Sequence, residues 1–201
     1  DVSAVLMDEP LTVIDPDLKF RLRRQLKEIN QKYSSTLIYV THDQNEAMTF
    51  AENIIVMDEG NIVQVGTPTD LFDRPKTTFV GYFIGAPAMN FLKCEIHDVR
   101  TVRLGDAIIK TNTDMAAIKS NNIKLGIRAE YIRITQQMGS NRLSASIQRV
   151  EDLGSHKLIT AKFHDVILKI KADREKPIPS DDVYLELPPE HCCLYADEIL
   201  I

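Results

Sequence analysis

The sequence predicts an α/β segment over residues 1–85 followed by an all-β segment, a small barrel or sandwich, over residues 86–201. Three observations carry that division. The first 80 or so residues alternate short apolar runs with amphipathic stretches, as strands joined by crossover helices do. From Gly81 to Met89 the pattern is broken by Gly81, Gly85 and Pro87. Beyond it, seven short runs of strand-forming residues follow one another between turn residues, which is the grammar of a small barrel or sandwich.

The elements follow in order. Val5-Leu6-Met7-Asp8-Glu9-Pro10 is an apolar strand that ends in two acids. Asp15-Pro16 reads as an N-cap followed by proline at the first helical position. Leu18, Leu22, Leu26, Ile29 and Tyr33 then recur every three or four residues, so one apolar helix face runs to about Tyr33. The basic residues Arg21, Arg23, Arg24 and Lys27 lie mostly off that stripe and read as a solvated face. Thr36–Val40 is nearly all apolar, as expected of a strand covered on both faces. Asp43, with Glu46 three residues on, resembles a capping box and opens a short helix to about Ala51. Ile54–Met57 and Ile62–Val65 form a hairpin across Asp58-Glu59-Gly60-Asn61, and Thr67-Pro68 starts another short helix. The strands expected after the boundary are Phe91–Ile96, Ala107–Thr111, Ile123–Ile127, Leu143–Val150, Leu158–Phe163, Val166–Lys171 and Val183–Leu187.

Composition narrows the function. A chain of 201 residues with 44% hydrophobic and 26% charged residues is an ordinary globular protein with a real core. A net charge of −5 with scattered Lys and Arg argues against a general nucleic-acid surface. No apolar run approaches the roughly 18 residues that span a bilayer, and the first residues lack a signal-peptide pattern. Cys94, Cys192 and Cys193 are an odd number without C-x-x-C spacing, so they read as free thiols of a reducing compartment, with Cys192 and Cys193 on opposite faces of a strand.

The chemistry lies at two strand ends. About thirty residues after Asp8-Glu9, Leu37-Ile38-Tyr39-Val40-Thr41-His42 ends a second strand in histidine. A helical crossover of this length makes the two strands parallel and puts both C-terminal ends on one sheet edge, where open α/β sheets bind ligands. Asp8, Glu9 and His42 can then converge on one triphosphate, the back half of a nucleotide-hydrolysing site. No G-x-x-x-x-G-K-S/T phosphate loop occurs in the 201 residues, so the chain reads as a fragment of a larger ATPase.

These residues carry a family resemblance. Val5–Pro10 resembles the Walker B strand of ABC transporter ATPases, Leu11-Thr12-Val13-Ile14-Asp15 the D-loop after it, and Tyr39–Gln44 the H-loop. Asn45-Glu46-Ala47-Met48, Gly66-Thr67-Pro68 and the run from Phe83 to Phe91 continue the likeness to sugar-importer ATPases of the maltose and glycerol-3-phosphate type. Leu125–Glu130 and Leu187–Cys192 resemble signature stretches of their C-terminal regulatory, or TOBE, domain. The resemblance implies part of a RecA-like P-loop NTPase core over residues 1–85 and an OB-like TOBE barrel over 86–201. By the same analogy Asp8 holds Mg²⁺ through water, Glu9 is the catalytic carboxylate, His42 contacts the γ-phosphate of ATP, and Asp15 lies at the dimer interface. Implied partners are membrane permease subunits, a second copy of the subunit, and a regulatory protein or ligand at the TOBE domain. The implied location is the cytoplasmic face of the plasma membrane, reached through the permease.

The departures are specific. Walker A, the Q-loop and the LSGGQ signature have no counterpart in the sequence. Val13 stands where the D-loop usually has Asn, and Ala129 where the TOBE turn usually has Pro. Arg128 and Glu130 read either as a local salt bridge or as part of a regulator surface. Glu151–His156 reads either as a hairpin turn or as a contact loop. His97, His164 and His191 lack metal spacing and read as structural. The rival function is an OB-like regulatory or small-ligand-binding module with an inactive ATPase remnant. A non-transport ABC-type ATPase is a third reading, against which the TOBE stretches and acidic balance argue.

Overall fold

A computed structural model describes residues 4–33, 35–179 and 182–201. The chain forms two compact units, Asp1–Ile55 with Val65–Pro68, and Val56–Gln64 with Thr69–Ile201.

In the first unit, β1 (Ala4–Asp8) runs parallel to β2 (Thr36–Val40), in register from Ala4 opposite Thr36 to Asp8 opposite Val40, and α1 (Pro16–Tyr33) makes the crossover. The Asp15 carboxylate accepts the Leu18 backbone N–H at 3.0 Å, satisfying one of the donors that a helix start leaves free. α2 (Gln44–Phe50) starts on Asp43, whose carboxylate accepts from the N–H groups of Asn45 and Glu46. Only half of a capping box forms, because Glu46 turns away from Asp43 and into the unit.

Two expectations for this unit need correction. β2 is not covered on both faces. Leu37 and Tyr39 are half-buried with Val5 and Met7, but Ile38, Val40 and Leu6 on the other face stand largely in water. A two-stranded sheet whose burial alternates has one covered face among the described residues, and an apolar run alone cannot distinguish that from two. Burial along the α1 stripe is likewise confined to its middle. Leu22 and Leu26 are half-buried, whereas Leu18, Ile29 and Tyr33 are exposed.

The hairpin of β3 (Ile54–Asp58) and β4 (Asn61–Gly66) turns through Glu59 and Gly60, both at positive φ, the geometry that matches strand twist. α3 (Pro68–Asp73) and α4 (Thr78–Phe83) follow. The β strands of the second unit are β5 (Asn90–Asp98), β6 (Thr101–Leu104), β7 (Ala107–Lys110), β8 (Ile123–Ile127), β9 (Arg133–Thr135), β10 (Arg142–Asp152), β11 (His156–Phe163), β12 (Val166–Asp173), β13 (Asp182–Glu186), β14 (Cys193–Ala196) and β15 (Ile199–Leu200). They make a six-stranded sheet in the order β15-β14-β8-β5-β6-β7 and a five-stranded sheet in the order β12-β11-β10-β13-β9. Their side chains share one core that includes Leu92, Ile109, Leu125, Leu143, Ile159 and Leu185.

All seven expected strands are present, and β6, β9, β14 and β15 were not foreseen. Each of these four is two to four residues long, too short to show an alternating period. Cys192 ends a short 3₁₀ turn (Pro189–His191) rather than sharing a strand with Cys193. Two buried asparagines stitch the sheets together. Asn90 donates to the carbonyls of Ile127 and Lys169 and accepts from Lys169 N–H. Asn141, held at φ 56° as asparagine tolerates, does the same with Lys110 and Leu187.

The expected division after Gly85 falls later in the chain than the division into compact units. α3 and α4 pack with the β sheets because backbone and side-chain bonds tie them there. Lys76 O accepts from Leu200 N–H, Thr78 N–H donates to Glu198 O, and the Tyr195 hydroxyl donates to Pro75 O. Glycine in the Gly81–Met89 stretch marks close packing as much as a linker, since a Cβ on Gly81 would lie 2.8 Å from the Phe91 ring. Among the described residues no helix is long and apolar enough to cross a membrane.

Candidate active site

Strand β1 ends at Asp8, opposite Val40 at the end of β2, so the two parallel strands deliver their last residues to one edge. Glu9 leaves the strand at φ 42°, a left-handed backbone that side chains other than glycine seldom adopt, while its N–H still bonds Val40 O at 2.9 Å. That turn swings the Glu9 carboxylate towards His42. His42 Nδ1 lies 2.8 Å from Glu9 Oε1, and because an ionised carboxylate only accepts, the imidazole N–H is the donor. Thr12 Oγ1 makes a forked contact with Glu9, 3.2 Å to Oε2 and 3.1 Å to its carbonyl. Residues 33 apart in sequence therefore meet as a hydrogen-bonded pair.

The pair shifts both partners. The His42 hydrogen bond, aided by Thr12, lowers the Glu9 pKa, and the Glu9 hydrogen bond and charge raise that of His42. Both residues are solvent-exposed, so the contact orients the groups rather than stabilising the fold. The charged pair exists between the two values: acid below the lowered Glu9 pKa protonates the carboxylate, and base above the raised His42 pKa discharges the imidazole. A proton NMR titration should place His42 above the ordinary imidazole value of about 6.5. Glu9→Gln should bring it back down, and an unchanged midpoint would show that the pair does not form in solution.

Asp8 is exposed at the same edge, and its carboxylate oxygens are hard donors of the kind that Mg²⁺ and its bound waters take. Glu9 is engaged by His42 and Thr12, and Asp8 is exposed beside it. The edge thus brings Asp8, Glu9 and His42 to adjoining positions. Asp15 is not among them. It sits exposed at the start of α1 as its cap.

Sequence reasoning missed two supporting residues, Thr12 and Glu46. Thr12 stood inside the D-loop resemblance, but its bond to Glu9 needed the turn geometry. Glu46 was read as a capping residue, yet its carboxylate is buried against Tyr39 and Thr41 and faces Lys19 and Arg23. Arg23 therefore does not belong to a solvated face.

In the second unit, Arg128 forms no salt bridge with Glu130. The arginine is 1% exposed, and its guanidinium donates to the carbonyls of Leu71, Phe72, Gly81 and Ile84 while lying 4.4 Å above the Phe72 ring. Burial pulls its pKa down. Every one of these carbonyls belongs to the last turn or the end of α3 or α4, so the guanidinium replaces the N–H groups that a continuing helix would supply. Its guanidinium is buried rather than presented on the surface. Glu130 pairs instead with Lys171 at 3.5 Å.

Glu151–His156 is a hairpin turn between β10 and β11, closed by Gly154 N–H on Asp152 and by Leu153 N–H on His156 O. His191 stacks on Tyr131 at 3.7 Å, His97 contacts Arg103, and His164 faces Asp106. Cys94 and Cys192 are buried free thiols pushed up to about 12 by desolvation.

Residues 125–194 match the TOBE domain family. The chain is 35% identical over 196 residues to a sulfoquinovosyl glycerol transport ATP-binding protein of Agrobacterium fabrum, covering 94% of this chain and 54% of that protein. It is 38% identical over 160 residues to an sn-glycerol-3-phosphate import ATP-binding protein of Psychromonas ingrahamii, covering 80% and 42%. It is 34% identical over 192 residues to an oligosaccharides import ATP-binding protein of Bacillus subtilis, covering 90% and 52%. The chain spans about half the length of these relatives. Over most of its length it is a homologue of the ATP-binding subunits of sugar-type ABC importers, and it carries their TOBE domain.

Proposed function

We infer that the chain is the C-terminal portion of an importer subunit that hydrolyses ATP to drive uptake of a sugar or related solute. Residues 1–85 belong to the ATPase core, and residues 86–201 form the regulatory, dimer-stabilising domain. The observation that carries this reading is the 2.8 Å contact between Glu9 and His42 at the common edge of β1 and β2.

In this reading Glu9 accepts a proton from the attacking water, which the carboxylate can do only while it stays ionised, and its lowered pKa keeps it so. His42 holds Glu9 in place and offers a positive charge where negative charge builds up on the γ-phosphate. Asp8 would hold Mg²⁺ through water, and the ion would supply positive charge for the phosphate oxygens. Asp15, at the start of α1, contacts the second subunit of the dimer. The partners are membrane permease subunits and a second copy of the subunit, on the cytoplasmic face of the membrane. A regulatory protein or ligand docks on the TOBE domain.

The triphosphate contacts of such a site come mainly from a phosphate loop and its lysine, and the 201 residues contain neither. Asp8, Glu9 and a triphosphate would otherwise bring like charges together with only Mg²⁺ between them. Calorimetry with Mg-ATP on this chain should therefore detect no site tighter than roughly millimolar, about −4 kcal/mol. The complete subunit should bind in the micromolar range and turn over. A micromolar site within the chain alone would sink the assignment of these residues to the back half of the site.

A further inference from the structure

Glu46 is 3% exposed, and its carboxylate sits where β2, α1 and α2 meet. A carboxylate is costly to bury unless its charge and lone pairs are answered. One oxygen, Oε2, accepts from the Tyr39 hydroxyl and from Thr41 Oγ1, each at 3.0 Å. The other, Oε1, makes no hydrogen bond but has Lys19 Nζ at 3.4 Å and Arg23 Nη1 at 3.8 Å. The charge is compensated by two cations of α1. The directional bonds come from Tyr39 and Thr41, on the other oxygen.

Thr41 has one hydroxyl proton, and it is committed to Glu46. Its lone pair is left to accept the Asp43 backbone N–H, at 3.0 Å. The Asp43 carboxylate in turn accepts the N–H of Glu46. The bonds close a ring that runs from the Glu46 carboxylate through Thr41 and Asp43 back to the Glu46 backbone, and His42 is the residue held in the middle of it. Chained bonds of this kind polarise and stiffen one another. The His42 side chain is 68% exposed, so its aim at Glu9 depends on the backbone that the ring fixes.

We propose that Glu46 is a positioning residue for His42, acting through the Thr41 hydroxyl to lock the Thr41–Asp43 turn in the orientation that meets Glu9. The proposal rests on the reading of Glu9 and His42 as the reacting pair, but its first test needs no nucleotide. In the 201-residue chain, the ring signals of His42 report the contact with Glu9, and Glu9→Gln defines their position without it. Thr41→Val keeps the shape of the side chain and removes the hydroxyl, and Glu46→Gln removes the charge. Both should move the His42 signals to the Glu9→Gln position, and adding Glu9→Gln to either should change nothing further. Thr41→Ser should restore the native signals. Tyr39→Phe removes the other hydroxyl from the same carboxylate oxygen, and should lower the melting temperature while leaving His42 in place.

In the complete subunit, Thr41→Val should lower kcat about tenfold or more with the KM for ATP nearly unchanged, as a misaimed group does. If Thr41→Val and Tyr39→Phe lower the melting temperature alike and neither moves His42, Glu46 is a packing residue and the proposal is overturned. If the His42 signals respond as expected but kcat does not, the positioning stands and the assignment of His42 to the reaction falls.

Discussion

Replacing Arg128 with methionine is expected to destabilise the β unit by about 3–5 kcal/mol, the range for breaking a buried charged network. Methionine can follow the path of the aliphatic stem, so the change isolates the guanidinium. What is lost is the set of donors to Leu71 O, Phe72 O, Gly81 O and Ile84 O, the bond to Phe72 O part-buried and the others buried. Gly81 O keeps a second bond from Met89 N–H, which limits the cost at that carbonyl. The cation also loses its place over the Phe72 ring. Arg128→Lys should recover only part of the stability. An ammonium carries the charge but cannot present a planar fork to carbonyls from two helices. Urea unfolding followed by circular dichroism should show the midpoint falling at nearly constant slope. A midpoint within experimental error of the native one would mean that the helix ends find other partners and that Arg128 does not hold them.

In the complete subunit, Glu9→Gln is expected to lower ATP turnover about 10²- to 10⁴-fold, the range supplied by a positioned general base, with ATP binding retained. The amide keeps the size of the side chain and can still meet Thr12, but it cannot take the proton of the attacking water. It also stops holding His42 as a charged partner, so His42 loses both its aim and its raised pKa. His42→Ala should cost about 10²- to 10³-fold, as the loss of a preorganised charge at the developing oxyanion does. Because the two side chains act as one hydrogen-bonded unit, the double variant should be little worse than the poorer single one. Turnover is read as phosphate release, and binding by calorimetry on the same preparations. Near-native turnover in Glu9→Gln would show that this carboxylate is not the base.

The pattern of the chain made much of this legible. Asp15-Pro16 marked the start of α1, and Thr67-Pro68 that of α3, because proline at the first helical position lacks only an N–H that the helix does not use. Asp58-Glu59-Gly60-Asn61 marked a hairpin because φ > 0 is cheap for glycine. Asp8, Glu9 and His42 could be placed on one edge because a helical crossover leaves parallel strands with their ends together. The capping and turn rules are local, with effects that extend only a few residues along the chain, whereas the crossover rule acts through the length of α1.

Other features answered to contacts that no local rule contains. Whether β2 was covered on one face or two depended on what packs above it, not on its own apolar run. Arg128 and Glu130, two residues apart, offered either a local salt bridge or part of a regulator surface. The fold instead sent Arg128 to helix ends 44 to 57 residues away, and Glu130 to Lys171. Glu46 offered a capping box at a spacing of three, but the cations of α1 and the hydroxyls of β2 drew its carboxylate inward.

By itself the sequence determined that an α/β half precedes an all-β half, the order of their main elements, and that the ends of β1 and β2 share one edge. Periodicity, capping and turn chemistry are short-range and written in neighbouring residues. Only the tertiary structure decided which charges are buried and by what they are answered. Desolvation penalises an unanswered charge wherever the chain has put it, and the partners that relieve the penalty come from any distance along the sequence.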